Sequence, residues 1–159
     1  MSNVIAMALA AILSVESSGG YDLRVGDNGR AVGSFQTWRI AVDEANRVEK
    51  IMAKREKRSP RRWSYSERKS HEKSTEMCRT TLMWHYSRGT TNAVDLACKW
   101  NTPYKSPNPK YRAKIARAIS EQQKSKKEGT RLWAKKEKST VRKVSERSFW
   151  PSLKVSMKQ

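Results

Sequence analysis

At 159 residues the chain has the length of a single domain, enough to bury a modest core with a tail to spare. Two cysteines and two histidines exclude a disulfide-framed fold and leave no zinc or metalloprotease spacing, so neither metal nor cofactor is expected. The balance of 34 basic to 15 acidic residues is uneven along the chain: residues 1–50 hold five and six, residues 51–159 hold 29 and nine. Such a field attracts nucleic acid, lipopolysaccharide phosphates, teichoic acids or another anionic wall polymer, and charge alone does not choose among them.

Residues 4–15 are an apolar run ending beside Glu16. The run is too short to span a bilayer and has no basic residue before it, so it reads as a buried helix capped by Ser2 or Asn3, not as a signal peptide. Tyr21 to Gln36 reads as irregular chain with a short β-hairpin turned by Asp27-Asn28-Gly29. From Thr37 to about Lys57, Ile40, Val42, Ala45, Val48, Ile51 and Met52 recur at helical spacing. The basic loop Arg55 to Arg62, broken by Ser59-Pro60, ends that helix.

Ser64 or Ser66 is expected to cap a helix reaching Tyr86, and Thr90 or Thr91 a shorter one reaching Lys99. Cys78 and Cys98 fall in these two helices and read as small buried thiols. Pro107-Asn108-Pro109 introduces a last core helix from Lys110 to about Gln123. Residues 124–159 are rich in Lys, Ser and Glu with scattered apolar side chains, which predicts a basic tail, marginally helical or partly disordered. The expected organisation is a mainly α domain over residues 1–123, with a hairpin beside a cleft, followed by that tail.

The segment Ser14 to Gln36 carries the chemistry. Glu16 ends an apolar helix, where partial desolvation raises a carboxyl's pKa toward what a general acid needs. Glycines at 19, 20, 26, 29 and 33 allow tight turns and close backbone approach to a ligand. Glu16-Ser17 and Gly29-Arg30-Ala31-Val32-Gly33-Ser34-Phe35-Gln36 resemble the first two motifs of the lysozyme-like lytic transglycosylases and goose-type lysozymes, and are most similar to small bacteriophage muramidases. Ala97-Cys98-Lys99-Trp100-Asn101 resembles the family's aromatic-Asn motif, and Tyr111-Arg112-Ala113-Lys114-Ile115 its late tyrosine. The resemblance covers residues 3–119. It departs from the family at Ser18, at Ser34-Phe35 and at Thr102-Pro103, where the family has other residues.

The resemblance implies an α+β lysozyme-like fold and cleavage of the β-1,4 MurNAc-GlcNAc bond of peptidoglycan. Glu16 would protonate the glycosidic oxygen and then take a proton from the attacking water or sugar hydroxyl. Asp27 is the candidate second carboxylate, ahead of Asp22, and its alternative role is turn building. Ser17 would contact the N-acetyl group or orient Glu16, and Gly33 would let backbone approach the substrate. Gln36 would bond the sugar or hold the loop, Asn101 would fix cleft backbone, and Trp100 and Tyr111 would line the cleft or simply pack. The implied protein is a monomeric phage endolysin or virion enzyme, held in the host cytoplasm before release or carried in the virion. Its basic tail would meet anionic envelope polymers or lipopolysaccharide. The alternative is a nucleic-acid- or envelope-binding protein on an inactive scaffold of the same kind.

Overall fold

A computed structural model describes residues 2–147, with side chains through residue 130. The described part is mainly helical: α1 (Asn3–Ser17), α2 (Arg39–Arg55), α3 (His71–Ser87), α4 (Ala93–Asn101) and α5 (Pro109–Arg147). It divides into two compact units, Met1–Gln122 and Gln123–Gln159. The first holds the core.

α1 is the centre of that core because its apolar residues face several ways. Ile5, Ala8, Ala11 and Ile12 are buried among Val42, Met77, Leu82, Leu96 and Ile115, and α1 packs against α3 and α4 while α2 packs against α3. Ser2 and Asn3 make no side-chain cap; the helix starts on backbone bonds to the Ser2 carbonyl. Cys78 and Cys98 are both buried free thiols.

The β-hairpin expected between Tyr21 and Gln36 is not formed. Among the described residues there is no strand, only two isolated antiparallel bridges, Gly26 with Ala31 and Val32 with Thr37. A ladder needs consecutive extended residues, and here Asp27, Asn28, Gly29, Gly33 and Gln36 all take positive φ. The chain therefore turns again before a second pair can form.

α3 starts later than expected, at His71, with Ser70 Oγ accepting from the Lys73 amide at 3.3 Å. The earlier serines are used differently: Glu67 accepts from the Ser64 amide at 2.6 Å and closes a 3₁₀ turn over Glu67–Lys69. Ahead of it, Trp63 is pinned to α2 by Asn46, whose side chain accepts from the Trp63 amide at 2.8 Å and donates to its carbonyl at 2.9 Å. α5 continues as far as Arg147, since its Lys, Arg, Glu and Gln residues favour helix and no proline interrupts it after Pro109. The tail residues 148–159 lie outside the described part.

Candidate active site

Glu16 lies one turn beyond buried Ile12 on the same side of α1, so the packing that buries Ile12 also half-buries the carboxyl. Tyr111, near the start of α5, donates its hydroxyl to Glu16 Oε1 at 2.8 Å. Burial raises the Glu16 pKa above its ordinary 4.5; the Tyr111 bond opposes this, the Asp27 charge adds to it, and Lys114 subtracts. Burial first, and the neighbouring carboxylate second, push the Tyr111 phenol well above its ordinary value. It therefore stays a donor at any working pH.

A cleft of about 810 Å³ opens in front of this carboxyl. Glu16, Asp27, Gln36, Trp100 and Asn101 all line it. Asp27 is exposed at φ 48° in the first turn of the Gly26–Ala31 loop. Asn101 is exposed at the end of α4. Trp100 is mostly buried: its indole N–H donates to the Phe35 carbonyl at 3.0 Å and its ring meets Phe35 edge-on at 6.4 Å. It thus ties α4 to the loop while its ring borders the cleft.

Three predicted residues stand behind the cleft wall. Ser17 is buried; its hydroxyl donates to the Ser34 carbonyl at 2.6 Å and accepts from the Gly20 amide at 3.0 Å. That ties the end of α1 to both sides of the glycine-rich segment. Gly33 has φ +74°, and a Cβ there would sit 2.5 Å from the Arg68 carbonyl oxygen, so only glycine lets the loop lie against the 3₁₀ turn. Tyr111 reaches the site only through Glu16.

Gln36 holds the loop from within the cleft. Its Nε2 donates to the carbonyls of Arg24, at 3.0 Å, and Gly33, at 3.1 Å. From the far side Arg68, buried and with no ion pair among the described residues, donates to the Arg30 carbonyl at 2.7 Å and the Thr37 carbonyl at 3.1 Å. The loop owes its shape to these side chains, since its own backbone makes few bonds.

The opposite part of the cleft went unread in the sequence. Glu44 and Arg47 of α2 pair at 2.7 and 2.8 Å, and Tyr104 bonds both. The Arg47 bonds outweigh burial and hold the Glu44 carboxyl below its ordinary value. Trp38, Ile40 and Tyr104 are exposed and line the same cleft. Ile40 was expected in the core; it is 72% exposed instead, because it sits in the first turn of α2 on the face turned away from Val42 and Ala45. The usable signal was Glu44 and Arg47 at i and i+3 on a helix, with a loop tyrosine to meet them.

A second hollow of about 400 Å³ beside α4 contains none of the predicted site residues. Among the described residues no three His, Cys, Asp or Glu side chains come together as a metal site would require, and no helix is long and apolar enough to cross a membrane. In comparisons with known proteins the chain matches no family model, and no curated protein or solved structure is significantly similar to it.

Proposed function

We propose that the chain is a peptidoglycan-cleaving glycosidase of lysozyme-like architecture, with Glu16 as its general acid and base. The observation that carries this is a single carboxyl, raised in pKa by burial, hydrogen-bonded to Tyr111 and opening onto a cleft bordered by Trp38, Trp100 and Tyr104. A protonated carboxyl suits donation to a leaving oxygen, and aromatic rings suit the C–H faces of sugars.

In the forward step the glycosidic C–O bond breaks, Glu16 gives its proton to the departing oxygen, and an oxocarbenium-like centre develops. Water or the sugar's own 6-hydroxyl then attacks that centre, and the Glu16 carboxylate takes the released proton. Asp27, on the same cleft, is the group available to activate water and give a reducing end. Attack by the 6-hydroxyl needs no second carboxylate and gives a 1,6-anhydro end. The surplus of basic residues downstream of the site would favour an anionic envelope.

The test is release of soluble fragments from isolated murein, with mass spectrometry of the new ends. Wild type is expected to release muropeptides; Glu16→Gln, folded and with an unlowered melting temperature, is expected to release almost none. Equal release by that variant would remove Glu16 from the mechanism.

A further inference from the structure

Three guanidinium groups converge on one indole. Arg55 and Arg88 lie 5.1 Å from the Trp84 ring centroid and Arg47 lies 6.0 Å from it. Trp84 is only 6% exposed, so the ring is a fixed platform that positions the three charges. Arg47 is neutralised by Glu44, but Arg55 and Arg88 are exposed and make no ion pair among the described residues. Like charges gathered around one ring repel, and cation–π contacts offset this only partly. The positive field reaches the neighbouring His85, which burial first, then Lys99, and also Arg47 and Arg88 disfavour as a cation, Glu44 alone opposing.

Guanidinium forks held in place and left without carboxylates match the oxygens of phosphate groups. Arg47 belongs both to this cluster and to the cleft, so the cluster continues the surface that the glycan would follow. We propose that Arg55 and Arg88, on the Trp84 platform, bind phosphate groups of an anionic polymer attached to the glycan strand being cut. This rests on the glycan reading of the cleft.

The test uses the full chain carrying Glu16→Gln, sedimented with isolated walls that bear a phosphodiester polymer and with the same walls stripped of it by hydrofluoric acid. Arg55→Gln with Arg88→Gln is expected to weaken binding to the phosphate-bearing walls about tenfold, the effect of losing one good charge-assisted contact. Binding to stripped walls is expected to be unchanged. Arg62→Gln with Arg79→Gln removes the same charge from exposed sites elsewhere and is expected to change binding less than about twofold. Arg55→Lys with Arg88→Lys keeps the charge, guards against a folding defect, and should fall between. Equal losses from the two glutamine pairs, equal binding to both walls, or an effect confined to duplex DNA or anionic vesicles would overturn the proposal. Fragment release from stripped walls by the chain with Glu16 intact reads the glycosidase separately, so either reading can fail alone.

Discussion

Glu16 and Glu49 are the same side chain, each turned inward from a helix, and their surroundings drive them in opposite directions. Glu49, on α2, accepts from the Arg58 guanidinium and from the Arg61 amide at 3.1 Å, and the arginine bond outweighs burial and holds its carboxyl below the ordinary 4.5. Glu16 has one neutral donor, and burial wins. Glu49 is a charge the fold has satisfied, and Glu16 is one it has left under-satisfied. Such a site weakens the native state and suits proton transfer.

The comparison breaks most sharply on activity. Glu16→Gln is expected to lower murein cleavage about a thousandfold, in the range for loss of a general acid, while Glu49→Gln leaves cleavage as it was. Thermal melts across pH should reverse the order. The native pKa of Glu16 is raised, so above 4.5 the unfolded chain releases the proton first and ionisation weighs against folding. Glu16→Gln should therefore melt no lower than wild type at neutral pH, with any gain vanishing in acid. The native pKa of Glu49 is lowered, so its stabilisation is present above 4.5 and lost as pH falls through the native value. Glu49→Gln should melt lower at neutral pH by on the order of 5 °C, with the deficit shrinking in acid.

Gly33→Ala tests whether the seat of Glu16 depends on the loop beside it. Its Cβ would meet the Arg68 carbonyl oxygen at 2.5 Å in a left-handed conformation, which should cost about 2 kcal/mol in chemical denaturation and reduce cleavage as well. Two smaller changes sharpen the account of the acid itself. Tyr111→Phe removes the bond that lowers the Glu16 pKa, so the alkaline limb of the pH–rate profile should move to higher pH, with about a tenfold loss of rate. Asp27→Asn removes a charge that raises the Glu16 pKa, so the same limb should move to lower pH with the melting temperature unchanged.

The helices were legible because their apolar residues repeat at helical spacing and their ends are marked by Gly, Pro and Asn. α3 was placed early because Ser64 and Ser66 with Glu67 resemble a capping box, and only the 3₁₀ turn shows where that glutamate goes. The hairpin was overread for a related reason: Asp27-Asn28-Gly29 is good turn chemistry, but turn residues do not say whether the flanking chain pairs. Glu16, Asp27, Gln36, Trp100 and Asn101 were named in advance and meet on one cleft. Ser17 and Gly33 were assigned contacts with sugar, and both instead fix backbone. Glu44, Arg47 and Tyr104 escaped notice because their bonds join residues 57 and 60 positions apart, which no local pattern reveals.

The arginine at position 68 grips carbonyls 38 and 31 residues earlier in the chain. During synthesis, then, the carboxylates and the glutamine emerge long before the residue that anchors their loop. A fragment stopping short of it would contain the reacting group yet have no groove to offer it, so catalytic competence should be acquired late and all at once.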